Sequence, residues 1–526
     1  MPTVAQLAEA LNIGDKLQSI YYGGEWHPAS GTLNLISPST GVGLCASGAA
    51  GSDDVAAAVA AATATFEAGG WSGLSGTERA PWLRKMAVAL SEKREALKTL
   101  EAINVGRPIF ETDGDIEDSL SFLEYNAGAA EKLDVRQGTK LDAPDGYNIS
   151  MQYNAAGVAA CILPFNWPLV NIILKLGPAL AAGCCIVLKP SEHTPLTALA
   201  FAQICDEIGL PAGVVNIITG LGADTGAALV KHPGVHVVGF TGSVATGCQI
   251  ARDAQTQDAA KFVFAEMGGK SAAIVLEDID ADRMANLIDW IMFGVFIGNG
   301  QACSATSRLL LHSAIASKLL PRLVAAVEGI CIGDNMNPDT RLGPLITARQ
   351  RDKVLGMIQR AIDSGDATSL TGDGRCDALP AELAGGNFVK PVIFTDVSDS
   401  AEVWREEIFG PVLCVREFSS DEEAISIAND SKYGLAGAVL GNDGARCMRI
   451  CKALRVGCSW INCIQPMFPN TVWGGPGQSS IGRELGDFSL NNFLEPKQIV
   501  DFVGHRAEPL GWYASSDAPA PAPAAL

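Results

Sequence analysis

Short apolar runs alternate with amphipathic stretches through the middle of the chain. Val158-Ala159-Ala160-Cys161-Ile162-Leu163, ended by Pro164, has the uniform apolarity of a strand covered on both faces. The pattern then predicts a helix over 169–182, a strand at 184–188 stopped by Lys189-Pro190, a helix over 194–208, and strands at 214–218 and 236–240. Strands separated by helices run parallel and return by right-handed crossovers, so this region reads as a doubly wound α/β layer. Such sheets bind ligands at the carboxyl ends of their strands, where Asn166, Lys189, Gly220 and Thr241 fall. Upstream, 53–65 and 79–97 read as amphipathic, alanine-rich helices. From 272 to about 457 the alternation returns, with strands at 272–276 and 412–415, and predicts a second α/β domain; the polar stretch 363–387 reads as a surface insertion. Residues 147–153 alternate like an edge strand, which is expected to pair with a partner subunit because an open edge invites aggregation.

Composition narrows the class. A chain of 526 residues is long for one core and implies two or three domains. A hydrophobic content of 48% with 18% charged residues is that of a globular chain, and no apolar span is long enough for a membrane helix. The net charge of −20 argues against nucleic acid or an anionic membrane as partner and mildly favours cationic ligands, although an acidic surface also serves solubility. The 14 cysteines show no paired spacing and read as reduced thiols. His232 and His236 are separated by the helix breakers Pro233 and Gly234, so no metal site is expected. The N-terminus carries Asp15 and Glu25, with Arg79 the first arginine, and does not resemble a transit peptide; the expected location is cytoplasmic.

The candidate chemistry centres on two residues. Cys303 lies in Gly298-Asn299-Gly300-Gln301-Ala302-Cys303-Ser304, a small-residue stretch that leaves a thiol accessible, and Glu266 lies in Phe264-Ala265-Glu266-Met267-Gly268-Gly269-Lys270. A thiol and a carboxylate, each beside glycines, suggest covalent catalysis followed by hydrolysis; an arbitrary cysteine is more often a small core hydrophobe. Gly220-Leu221-Gly222-Ala223-Asp224-Thr225-Gly226 nearly matches a dinucleotide fingerprint, its third glycine one residue late. Phe240-Thr241-Gly242-Ser243 follows a strand and opens a helix, a place for pyrophosphate, where Ser243 equally suits an N-cap. Lys189 and Glu192 follow the second strand, where a carboxylate can accept from ribose hydroxyls and would repel a 2′-phosphate; the alternative is a solvated surface pair.

Together with Pro164-Phe165-Asn166-Trp167-Pro168, Glu407-Ile408-Phe409-Gly410-Pro411 and Gly482-Arg483-Glu484-Leu485-Gly486, these motifs resemble the aldehyde dehydrogenase superfamily from about residue 20 to 503. Cys303-Ser304-Ala305-Thr306-Ser307-Arg308, Trp460-Ile461-Asn462-Cys463 and Trp473-Gly474-Gly475 are similar to its aminoaldehyde and betaine aldehyde dehydrogenases. The resemblance implies an α/β fold with a Rossmann-like dinucleotide-binding domain (1–130 and 153–265), an α/β catalytic domain (266–457) and a small β oligomerisation arm (131–152 and 485–503). A segment at 458–484 would return to line the substrate pocket; the tail 504–526 is expected to be disordered because its Ala/Pro/Ser stretch from 514 to 523 is of low complexity.

By the same resemblance Cys303 is the nucleophile, Asn166 an oxyanion donor, Glu266 the hydrolytic base and Glu484 a proton relay, unless Glu484 merely pairs with Arg483 or another cation. NAD would contact Ile162, Leu163, Pro164, Phe165, Lys189, Ser191, Glu192, Gly222, Gly226, Phe240, Thr241, Gly242, Ser243, Glu266, Met267, Gly268, Glu407 and Phe409. The substrate would meet Trp167 and Trp473, with Leu174 and Ile297 where aromatic rings are usual, Cys458 leaving room, and Asp115 and Asp118 as carboxylates at the entrance. The expected substrate is an ω-aminoaldehyde or betaine aldehyde, with a more apolar or a sulfonium aldehyde as alternatives, and the expected assembly a homodimer or homotetramer. Glu266 argues against an acylating enzyme, and retention of Cys303, Glu266 and Asn166 argues against an inactive scaffold. Two departures stand out: the Glu266-to-Cys303 separation is about one helical turn longer than usual, the extra residues falling near 282–289, and Pro476-Gly477-Gln478-Ser479-Ser480-Ile481 lacks a basic pair.

Overall fold

The computed structural model describes residues 2–257 and 259–504. Two parallel-type sheets carry the core. In the first, the spatial order is Ser480–Ile481, Phe262–Glu266, Val237–Thr241, Val158–Ile162, Cys185–Lys189, Val215–Ile217, Ser19–Tyr22 and Glu25–Pro28. The five strands from Phe262–Glu266 to Val215–Ile217 are parallel, and the outer strands on both sides are antiparallel. Sequence order reverses between Val158–Ile162 and its neighbour Val237–Thr241, which opens a crevice at their carboxyl ends. Val158–Ile162 and Cys185–Lys189 are buried at every position, as uniform apolarity requires.

The helix Pro168–Ala182 is buried along its whole length. Pro168 starts it with a preset φ, and Gly183 ends it in the left-handed region (φ 96°). Its apolar surround accounts for this burial, and Lys175 is its one charged residue. The expected helix at 79–97 is two helices, Gly76–Glu92 and Arg94–Val105, which meet at Lys93. The first starts early because Ser75 and Glu78 form a capping box.

The second sheet runs Thr368–Ser369, Val392–Thr395, Val412–Phe418, Arg308–His312, Ala272–Val275, Ala436–Leu440 and Cys458–Ile461, parallel except at its first pair. The stretch read as a surface insertion contributes Thr368–Ser369 to this sheet and buries Leu383 and Asn387, whose N–H donates to the Pro38 carbonyl.

A three-stranded antiparallel sheet stands apart, with Tyr147–Ala155 between Thr139–Leu141 and Leu494–Phe502. The strand expected at an edge is therefore central, because the chain returns to pair with it, Leu494 opposite Ala155 and Phe502 opposite Tyr147. The helix Ile109–Arg136 reaches into the segment read as an arm, and Gly486–Asn491 is helical. No helix among the described residues is long and apolar enough to cross a membrane. Of the stretch read as a tail, 505–526 lies outside the described residues.

Candidate active site

Cys303 follows three consecutive left-handed residues, Gly298 (φ 60°), Asn299 (φ 61°) and Gly300 (φ 75°). Asn299 tolerates this backbone better than most side chains. Its amide donates to the carbonyls of Gly106 (3.1 Å) and Pro344 (2.8 Å), and its Oδ1 accepts from the Gly343 N–H (2.7 Å). A side chain at Gly300 would fall 2.4 Å from the Gly410 carbonyl carbon. The thiol thus sits on an over-determined loop. Burial first, then the Glu407 and Glu266 carboxylates, push its pKa far above the ordinary thiol value.

Glu266 ends the strand Phe262–Glu266 and is 2% exposed. Its Oε2 accepts from the Ser480 hydroxyl at 2.7 Å, while Oε1 is buried with no partner among the described residues. Burial, then repulsion from Glu484, hold its pKa well above the usual carboxylate range. Glu484 is buried and paired with Lys175 of the apolar helix Pro168–Ala182, not with its neighbour Arg483. Asn166 Nδ2 donates to the Gln301 carbonyl (2.8 Å), which fixes the amide beside the Cys303 loop and leaves its second N–H for another acceptor.

A cavity of 470 Å³ joins these groups, lined by Cys303, Glu266, Asn166, Thr241 and Glu484 and walled by Trp167, Val170, Leu174, Trp290, Phe293, Ile297, Met467, Phe468 and Trp473. Two of the expected lining residues are elsewhere. Asp115 is buried behind Trp167, held bidentately by Arg107 (2.6 and 3.2 Å), so it is not a free entrance carboxylate. Cys458 does not face the cavity; its Sγ lies 3.6 Å from the Val472 carbonyl. Asp118 does line the rim, where partial burial of its carboxyl, then the Asp115 charge, push its pKa up to about 6.

Sequence reasoning missed Trp290, Phe293 and Phe468, and so undercounted the rings. Trp290 and Phe293 lie one turn apart on Met284–Phe296 and meet edge to face at 6.1 Å; that spacing was a legible signal. The lone lysine in the apolar run 168–182 was a signal for Lys175. Nothing local marked Arg107 or Ser480.

The expected cofactor residues gather around the crevice of the first sheet. Lys189 is buried, its Nζ donating to the Pro190 carbonyl (2.9 Å) and lying 3.6 Å from Glu192, which stays partly exposed. Ser191 is buried beside them, and Gly226 faces the Lys189 stem and Ile162. Gly222 opens the turn Gly222–Gly226. Leu163 continues the first strand with its N–H on the Lys189 carbonyl, leading into Pro164 and Phe165. Ser243 caps the helix Val244–Asp253 by accepting from the Thr246 N–H (3.2 Å). The Phe240 ring would lie 2.5 Å from a side chain at Gly242, and the Met267 sulfur 2.5 Å from one at Gly247. Across the crevice, Glu407 accepts from the Gly269 N–H (3.0 Å), and a side chain at Gly268 would strike it; burial pushes its pKa up to about 7. Phe409, left-handed at φ 60°, meets Phe165 edge to face at 5.8 Å. The buried Thr241 Oγ1 has no partner among the described residues. An orphaned hydroxyl, a glycine-cleared cradle and a carboxylate after the second strand fit a dinucleotide that lacks a 2′-phosphate.

A family model described as the aldehyde dehydrogenase family matches residues 26–499. The chain is 43% identical over 502 residues to the peroxisomal aminoaldehyde dehydrogenase 2 of Pisum sativum, covering 94% of this chain and 97% of that protein. It is 42% identical over 504 residues to the chloroplastic betaine aldehyde dehydrogenase of Beta vulgaris, covering 95% and 98%. Among solved structures, betaine aldehyde dehydrogenase from Staphylococcus aureus in complex with NAD+ superposes with a TM-score of 0.91 at 34% identity, over 96% of this chain and 98% of that one.

Proposed function

The chain belongs to the aldehyde dehydrogenase family, and we propose that its Cys303–Glu266 cavity oxidises an aldehyde with a cationic tail to the carboxylic acid. NAD, when bound at the crevice, accepts the hydride. Cys303 Sγ releases its proton to water in the cavity and bonds to the aldehyde carbon, forming a thiohemiacetal. The oxygen that becomes negative accepts from the second Asn166 N–H and the Cys303 backbone N–H. Loss of hydride leaves an acyl thioester on Cys303. Glu266, through its unpartnered Oε1, takes a proton from water as that water attacks the thioester; the acid leaves from the Cys303 thiolate, which regains a proton from cavity water. Glu484, paired with Lys175 and close enough for its charge to raise the Glu266 pKa, relays that proton onward. Glu192 favours NAD over NADP by repelling a 2′-phosphate.

The observation that carries the substrate reading is the shared lining: one cavity is lined by Cys303, by the Asp118 carboxylate and by the rings of Trp167, Trp290, Phe293, Phe468 and Trp473. A ring face contributes about 0.5–2 kcal/mol toward a cation. The names of the two plant relatives point the same way. Leu174 and Ile297 in the same wall favour a second reading, a more apolar aldehyde. NAD reduction with betaine aldehyde, 4-aminobutyraldehyde and hexanal side by side, with Cys303→Ala as control, separates them: preference for the two cationic aldehydes supports the first reading, preference for hexanal the second, and equal turnover by the control sinks both.

We also carry a homodimer or homotetramer, supported by Leu141, Ile499 and Val500, exposed on the outer strands of the three-stranded sheet; light scattering gives the mass. All the cysteines are free thiols, which supports a reducing compartment. The cytosol is our reading, and fractionation would distinguish it from the peroxisomal and chloroplastic locations named for relatives.

A further inference from the structure

Resting on the reading of Glu266 as hydrolytic base, we infer that Ser480 is a positioning residue for thioester hydrolysis, its hydroxyl holding one oxygen of the Glu266 carboxylate so that the other is presented to water. Ser480 and Glu266 are partners in the antiparallel pairing of Ser480–Ile481 with Phe262–Glu266, which sets their side chains next to each other. The hydroxyl has two contacts of opposite sense. The Gly475 N–H donates to Oγ at 2.9 Å, and Oγ lies 2.7 Å from Glu266 Oε2. Because the amide fills a lone pair of the serine oxygen, the serine proton is directed at the carboxylate. A fixed donor of this kind favours the ionised form of its acceptor.

That contribution acts against the rest of the surroundings. Burial and the Glu484 charge favour a protonated Glu266. Lys175, on the helix Pro168–Ala182, and Arg483 pull the other way, and the thiols of Cys303 and Cys458 also feel the Glu266 charge. Lys175 is already paired with Glu484. Ser480 is therefore the one hydrogen-bond donor to the Glu266 side chain among the described residues. The neighbouring Ser479 instead anchors the segment's backbone, its Oγ accepting from the Gly434 N–H (2.9 Å) and its carbonyl from the Met267 N–H (2.7 Å). The segment 476–481 thus contributes a side chain to the site through Ser480 and a backbone anchor through Ser479.

The test is the rate at which the Cys303 acyl adduct disappears, followed by rapid quench and intact mass between pH 5 and 9, in wild type, Ser480→Ala, Ser480→Thr and Glu266→Gln. The expected result for Ser480→Ala is unchanged adduct formation, with the acid limb of hydrolysis moved up by about one pH unit, so that hydrolysis is roughly tenfold slower below the limb and recovers above it. Ser480→Thr restores the limb. Unchanged adduct formation also reports that the two Ser480 variants are folded. A limb that stays in place in Ser480→Ala, with or without a uniform loss of rate, overturns the inference. The underlying reading fails separately, if Glu266→Gln clears the adduct at the wild-type rate.

Discussion

The Arg107 guanidinium stacks on the Trp167 ring, 4.4 Å from its centroid, while gripping Asp115 and reaching Glu111 at 3.1 Å. Glu111 in turn accepts from the Gly298 N–H at 3.0 Å, so one buried cation ties the wall of the substrate cavity to the loop that carries Cys303. The side chains of Arg107, Glu111 and Asp115 are 1%, 5% and 5% exposed. Burial drives both carboxyl pKa values up, and Arg107 is the largest influence holding them down.

Removing that cation leaves two buried carboxyls without a counter-charge. Arg107→Leu is expected to cost about 3–5 kcal/mol of unfolding free energy, with Arg107→Lys recovering only part because the planar fork is lost. Chemical denaturation measures both. Full recovery by lysine would mean that charge alone matters there.

Asp118 gives a pH-dependent KM. With its pKa raised to about 6, the carboxyl loses its charge as pH falls through that value, and KM for a cationic aldehyde should rise below it while KM for hexanal stays flat. The stability linkage has the opposite sense. A raised carboxyl favours the folded state most below its unfolded value, and that small, solvent-screened contribution is lost as pH rises through about 6. Asp118→Asn should remove the KM dependence, as read by initial rates between pH 5 and 8.

Lys175→Met strands Glu484 in the apolar interior and is expected to lower stability by about 3–5 kcal/mol, with most of it regained in Lys175→Met/Glu484→Leu. A double-mutant cycle in denaturant gives the coupling. Additive losses would contradict a direct pair.

Asn166→Ala removes one of the two donors proposed for the developing oxyanion, and kcat should fall about 10²–10³-fold while iodoacetamide labelling of Cys303 continues. Labelling lost together with activity would point to collapse of the loop instead.

Glu192→Gln removes the charge expected to repel a 2′-phosphate, so kcat/KM with NADP should rise roughly tenfold, about 1.4 kcal/mol, with little change for NAD. Initial rates with both cofactors decide it.

Local chemistry in the sequence was enough for much of this protein. Uniform apolar runs at 158–163 and 184–188, short and ended by prolines, read as strands covered on both faces, and their alternation with helices points to a parallel sheet whose ligands lie at its carboxyl ends. Cys303 and Glu266 were legible because glycines crowd around each for reasons of backbone shape. What tertiary structure alone decided are the partnerships between distant residues: Ser480 with Glu266, Lys175 with Glu484, Arg107 with Asp115. Asp115 and Asp118 share a helix three positions apart and look equivalent as sequence, yet one is consumed by a buried arginine and the other faces the cavity. Periodicity reports which face of an element is apolar; which charge meets which across that face depends on how the elements pack, and packing sums contacts from the whole chain.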